Sequence, residues 1–179
     1  MLTVRRMNPD EWPVARAVCI DAFDEPGIDT LLDTLHSSWG WADDLAFVAE
    51  QAGEVVALVV FTPSFVDAPE RVVPVLVLSP LGVRRDLQGQ GIGDALVRAA
   101  LAELERTRPE AAVFLEGIPS YYPRFGFRPG GELGFGKPTP RVPDLAFMVY
   151  PLPSYEPTVR GNLVYADAFW RADAAGLRE

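Results

Sequence analysis

The segment Gln88-Gly89-Gln90-Gly91-Ile92-Gly93 constrains this chain more than any other. It stands between an apolar run ending at Leu78 and a helical pattern beginning near Asp94. Three glycines in five positions let a backbone turn sharply with no side chain in the way. At such a helix entrance, free N–H groups and the positive end of the helix dipole meet, which makes it an anion site, most often for phosphate. The helical pattern runs over residues 91–107 and stops before Pro109, and a short apolar strand follows at Ala112–Glu116. Strand, glycine loop, helix and strand form one βαβ-like unit, which implies two parallel strands.

The wider composition narrows the anion. The chain has 179 residues, enough for one domain with an appendage, and its formal net charge is −9. No basic stretch is dense enough to displace counterions from a nucleic acid, so a nucleic-acid partner is not expected. An acidic surface suits a cationic acceptor such as an amine, or simply keeps the chain soluble. Cys19 is the one cysteine and lies in an apolar helical pattern, so it reads as a core residue. His36 is the one histidine, which gives little support to a His-based triad or metal site, and no metal is expected. No apolar run reaches the ~18 residues of a membrane span, and the N-terminus lacks a signal-peptide segment. A cytoplasmic location without membrane contact is expected.

Along the chain, Leu2–Arg6 reads as a first strand. Asp10 is placed to cap a helix over residues 11–23, and a second helix is expected over 28–39. Residues 45–50 and 55–62 read as a hairpin around Ala52-Gly53, and 65–71 as a polar connection. A strand over 72–78 contains Pro74, which predicts edge-like or irregular pairing. Ser79-Pro80-Leu81-Gly82 then predicts a bulge or a splayed strand end. In the 91–107 helix, Ile92, Leu96, Ala99 and Leu104 are expected to face inward, and Asp94 and Arg98 to pair outside. Residues 130–143 read as a long loop or distorted hairpin, 145–150 as a late strand and 151–157 as a linker. The apolar ending with Tyr165 and Phe169 is expected to pack on the domain or on a partner, so the division is a domain over 1–150 and a C-terminal segment over 151–179.

Three phosphate motifs compete for the glycine loop. A P-loop requires Lys-Ser/Thr after its second glycine, whereas Gly93-Asp94 stands here. A dinucleotide fingerprint requires a small residue where Asp94 lies and a strand immediately before the loop. The third pattern is Gln/Arg-x-x-Gly-x-Gly/Ala after a strand, and Gln88–Gly93 matches each defined position, with Leu81-Gly82-Val83 upstream. Together with Tyr121-Tyr122-Pro123-Arg124-Phe125-Gly126-Phe127, these residues resemble the GNAT superfamily of acyl-CoA-dependent N-acetyltransferases. The Tyr165-x-x-x-Phe169 ending resembles a branch of uncharacterised bacterial members.

The resemblance implies a mixed α/β fold: a central, mostly antiparallel sheet with one parallel splayed strand pair, flanked by helices. It implies acetyl-CoA as co-substrate and acetyl transfer to a primary amine, on a small molecule or a protein, in a ternary complex. Leu81, Gly82 and Val83 would lie along the pantetheine arm. Gln88, Gly89, Gln90, Gly91, Ile92, Gly93 and Asp94 would hold the pyrophosphate. Arg84 and Arg85 either face the nucleotide phosphate or form a solvated turn. Tyr122 would protonate the leaving thiolate, with Tyr121 a packing aromatic. Glu116 is the first candidate base, with Asp67 and Glu70 as alternatives and Ser79 as a water-aligning group. Residues 25–41, 65–71 and 130–143 are expected to supply the acceptor site, with Trp39, Trp41 and Phe65 as lining aromatics or core. A non-catalytic acyl-CoA-binding module, a different acyl donor, a hydroxyl acceptor and pairing with a second copy all remain open.

Overall fold

A computed structural model describes residues 1–177. Two strands, β1 (Leu2–Arg6) and β2 (Ala46–Gln51), bracket two helices, α1 (Trp12–Asp21) and α2 (Ile28–His36). Two long strands follow, β3 (Glu54–Asp67) and β4 (Val72–Val83), then α3 (Ile92–Thr107) and β5 (Ala112–Glu116). Short strands β6 (Arg128–Pro129) and β7 (Phe135–Gly136) precede β8 (Phe147–Pro151), β9 (Gly161–Val164) and the final helix α4 (Asp167–Arg171).

The sheet order is β1-β2-β3-β4-β5-β8-β6, with β9 added beside β3 and β7. The pairs along the main path are antiparallel except β4 with β5. Side chains alternate across a strand, and both faces of this sheet are covered, which explains the near-continuous apolar runs. Val59, Phe61, Leu76 and Leu78 meet Leu96, Val97 and Leu101 of α3 on one face. Leu58 and Val60 meet Ala15 and Cys19 of α1 on the other. Val75, Val77, Phe114 and Phe147 pack there against Leu163, Tyr165 and Phe169 of the C-terminal segment.

The parallel pairing of β4 with β5 covers only Leu76↔Val113 and Val77↔Phe114. Beyond it the strands diverge. Leu78 pairs with Phe61 but Leu81 pairs with Val59, so Ser79 and Pro80 occupy two positions opposite Val60. That bulge bends β4 along β3, while β5 runs on beside β8 as far as Glu116↔Phe147. The wedge between them is where the candidate site lies.

Several local expectations change. β4 is internal to the sheet, but at Pro74 it is laddered on one side only, with Phe65 of β3, so the pairing there is edge-like as the proline implies. Pro74 is exposed in the stretch preceding its parallel pairing, where the proline carbonyl accepts the Ala111 amide at 3.0 Å. β3 extends to Asp67, so Phe65 is in the sheet instead of a connection, because β9 supplies a partner for Phe65, Val66 and Asp67. Asp10 does not cap α1; Asn8 and Glu11 form a capping box on the preceding single turn. In α3, Ala99 is exposed while Val97 and Ala100 face inward. No described helix is long and apolar enough to cross a membrane.

Candidate active site

A cleft of about 950 Å³ opens between the β4 bulge, the entrance of α3, the end of β5 and the α1–α2 connection. At its α3 end, Gly91 is the helix N-cap at φ 81° and Gly89 sits at φ 75°. Both are in the left-handed region that favours glycine, and a Cβ at either would meet nothing within 4 Å. The first turn-closing bond of α3 runs from the Ala95 amide to the Gly91 carbonyl at 3.0 Å. The amides of Ile92, Gly93 and Asp94 therefore have no carbonyl one turn back to donate to, and all three residues line the cleft at the positive end of the helix dipole.

Negative charge at this entrance is offset within the chain. Asp94 accepts the Tyr121 hydroxyl at 2.9 Å and faces Arg124 at 3.4 Å. The Arg124 guanidinium also lies 4.6 Å above the Tyr121 ring. Asp94 thus pairs with Arg124 rather than Arg98, which instead donates to the Arg124 carbonyl and stacks over Phe125. Burial and the Asp94 carboxylate push the Tyr121 phenol well above its ordinary range.

Tyr122 begins a single helical turn after β5 and packs edge-on against Tyr121 and Phe127. Its side chain lines the cleft, and burial pushes its phenol up to about 12. It is therefore a protonated donor throughout the neutral range. Gly117 makes this placement possible: a Cβ there would run into the Tyr122 ring. Glu116, one residue before Gly117, also lines the cleft. Loss of surrounding water pushes its carboxyl above the ordinary range, and the positive charge of Arg141 opposes that. Buried Tyr165 feels the Glu116 charge in turn.

The far end of the cleft comes from segments distant in sequence. Glu25, Pro26 and Gly27 of the α1–α2 connection belong to the lining, as do Arg141, Ala172, Asp173 and Ala174. Arg141 Nη1 donates to the Asp173 carbonyl at 2.9 Å and to its carboxylate at 3.2 Å. The buried Thr139 hydroxyl donates to the Gly176 carbonyl at 2.6 Å and lies 3.3 Å from the Gly176 amide. Arg141, Asp173 and Gly117 are the contributors that sequence patterns did not single out. A lone arginine in a Gly/Pro-rich loop and an aspartate near the end carry no spacing signal, since only the fold joins them.

Of the sequence-derived candidates, Leu81, Val83, Gln88, Gly89, Gly91, Ile92, Gly93, Asp94, Glu116 and Tyr122 line the cleft, as does Ser79. Gly82 and Gln90 do not. Gly82 faces α1, where a Cβ would stand 2.8 Å from the Cys19 sulfur. Gln90 is exposed and reaches back to the Asp86 carbonyl at 3.4 Å. The Gln88 side chain holds the loop in place through the Val83 and Ala22 carbonyls, at 3.1 and 3.3 Å. Arg84 is tied to Asp86 and Glu54, and Arg85 to Asp24 and the Asp21 carbonyl. Both arginines thus serve the turn. Asp67, Glu70, Trp39, Trp41 and Phe65 lie outside the lining. Trp41 instead packs with Trp12 and His36, and Trp39 is 83% exposed.

The geometry has counterparts among known proteins. The model of an acetyltransferase (GNAT) domain matches residues 42–129, from β2 through Tyr122 to β6. Over 127 residues, 69% of each chain, the sequence is 31% identical to the uncharacterised N-acetyltransferase YjhQ of Escherichia coli strain K12. The chain belongs to the GNAT family of N-acetyltransferases. The GNAT family protein YhbS from Escherichia coli, solved in complex with CoA, superposes with a TM-score of 0.83 at 27% identity, covering 95% of this chain and 92% of that one. A GNAT acetyltransferase from Brucella melitensis, in complex with acetyl-CoA, gives 0.73 at 25% identity over 94% and 98% of the two chains. The GNAT fold expected from the motifs is the fold observed, including the splayed parallel pair of β4 with β5, to which the short β7–β9 pair adds a second parallel contact. Arg141 and the C-terminal wall fall outside the matched GNAT domain.

Proposed function

We propose that this GNAT acetyltransferase moves an acetyl group from acetyl-CoA to a primary amine by direct attack, with both substrates bound together. The observation that carries the reading is one cleft joining the open α3 entrance, the Tyr122 phenol and the Glu116 carboxylate. CoA and acetyl-CoA in the two structural relatives support the donor. The donor set fits as well: free helix-end amides suit a pyrophosphate, and the open space at Gly89 and Gly91 admits it closely. The exposed edge of β4 along Leu81 and Val83 suits an extended pantetheine arm.

The acceptor arrives as an ammonium and gives one proton to the Glu116 carboxylate. Its nitrogen then attacks the thioester carbon, forming the C–N bond and a tetrahedral oxyanion. An N–H of the bulge between Leu78 and Leu81 would stabilise that oxyanion. Collapse breaks the C–S bond, and the sulfur takes the Tyr122 phenolic proton. The second proton on nitrogen restores the phenol through water, and Glu116 returns its proton to solvent. The sum is acetamide, free CoA and one released proton. We further read residues 1–150 as the acetyltransferase domain and 151–179 as a segment packed on it; the pairing of β9 with β3 supports this over the described part.

The test is Tyr122→Phe, assayed by CoA release with an amine panel and by calorimetry with acetyl-CoA. Turnover should fall about 10²–10⁴-fold with binding unchanged. Equal turnover would remove Tyr122 from the acid role. Acetyl-CoA binding without transfer to any amine would leave a binding module instead.

A further inference from the structure

At the acceptor end, opposite charges stand near one another without joining. Glu116 and Arg141 both line the cleft, and the Arg141 charge acts on Glu116, yet the two form no ion pair. Glu116 has no cationic partner elsewhere among the described residues. The Arg141 guanidinium is held instead from the C-terminal side, where the Asp173 carbonyl and carboxylate both take Nη1. That clamp uses one nitrogen. Nε and Nη2 donate to no acceptor among the described residues, so one edge of the planar fork remains available.

The clamp is itself anchored. Asp173 sits at φ 58°, a left-handed conformation that a non-glycine residue holds only when its surroundings impose it. Thr139, two residues before Arg141, ties to Gly176, three residues after Asp173, through its buried hydroxyl. The loop bearing Arg141 and the segment bearing Asp173 are thus stapled at two points. A guanidinium whose direction is fixed before binding loses little freedom when it captures a ligand.

Resting on the amine-acceptor reading above, we propose that the acceptor is an amino acid or a similar small amino-carboxylate. Its ammonium meets Glu116 and its carboxylate takes the free edge of Arg141. A planar guanidinium presents paired N–H groups that match a carboxylate. A carboxylate base beside it, separated but electrostatically coupled, leaves the gap that a zwitterion bridges. Buried Tyr165 feels the Glu116 charge, and Glu25, Asp94, Tyr121, Tyr122, Arg124 and Asp173 are the other titratable groups that line the cleft. An acceptor lacking the carboxylate would leave the Arg141 edge without a partner in a partly desolvated cleft, and such sites discriminate strongly.

The test compares matched acceptors, L-ornithine with putrescine and L-phenylalanine with phenethylamine, by acetyl-CoA-dependent CoA release. The amino acid of each pair should be preferred in kcat/KM by at least about 30-fold, the size of a lost charge-assisted contact. Arg141→Gln should raise KM for the amino acids by a similar factor and bring each amino acid and its decarboxylated amine to nearly equal kcat/KM at any one pH. Arg141→Lys, which keeps the charge but not the fork, should fall between, and acetyl-CoA binding by both variants establishes that they are folded. Equal rates within each pair, or an unchanged preference in Arg141→Gln, would overturn the inference and leave amine acetylation standing. Transfer to no amine, with acetyl-CoA bound, would overturn both.

Discussion

At the α3 end of the cleft the groups on offer are backbone amides, set by Gly89, Gly91 and Gly93 over five consecutive residues. Around Glu116 they are side chains, Glu116, Arg141 and Asp173, brought from three segments by the fold. On the proposed reading, the first arrangement takes a feature common to every acyl-CoA, its pyrophosphate. The second can differ between relatives without disturbing the first. A GNAT chain can thus keep its donor while changing its acceptor, because the two recognitions depend on different covalent stretches.

The sharpest way to separate the two ends is Glu116→Gln. Turnover should fall by about 10²-fold, the lower range for a general base, with acetyl-CoA affinity preserved. The pH profile carries the same information. Glu116 must be ionised to act, and its carboxyl is raised by loss of water. In the wild type kcat/KM should therefore rise with pH through a limb above the ordinary glutamate value of about 4.3, and the Gln variant should lack it. Removing the opposing charge with Arg141→Gln should move that limb to higher pH. A limb unchanged in both variants would take Glu116 out of the base role.

A smaller effect is expected from the other end. Gly91→Val places a β-branched residue at φ 81°, which costs about 1–2 kcal/mol. Acetyl-CoA binding should weaken by roughly tenfold, while the ratio of rates between acceptors stays constant. A changed acceptor ratio would mean that the ends are not independent. Smaller again is Thr139→Val, which removes the hydroxyl bonded to Gly176. A loss of about 1–3 kcal/mol is expected, seen as a lower Tm with unchanged acetyl-CoA affinity.

The same contrast explains what could be read from sequence. The glycine loop, the interrupted strand at Ser79-Pro80 and the Tyr122 turn are local patterns, and each lies where its pattern implied. The Asp94–Arg98 pair was also a local inference, and it failed because Arg124 and Tyr121 approach Asp94 from another element. Gln88 lines the cleft while its side chain braces the loop against the α1–α2 connection, and Arg85, for which a phosphate contact and a solvated turn were both open, does the same, which only tertiary contact reveals. The Arg141–Asp173 clamp spans 32 residues, and no periodicity links its members. Phe65 was misplaced for a related reason: the strand that pairs with it, β9, lies almost a hundred residues later.

The central claim is that the open α3 entrance holds the pyrophosphate of the donor. Calorimetric titration with acetyl-CoA and with S-acetylpantetheine, which carries the thioester and arm but no phosphate, tests it directly. Acetyl-CoA should bind at least about a hundredfold more tightly, or close to 3 kcal/mol, with the difference shrinking in Gly91→Val. Equal affinity of the two ligands for the wild-type protein would contradict the account.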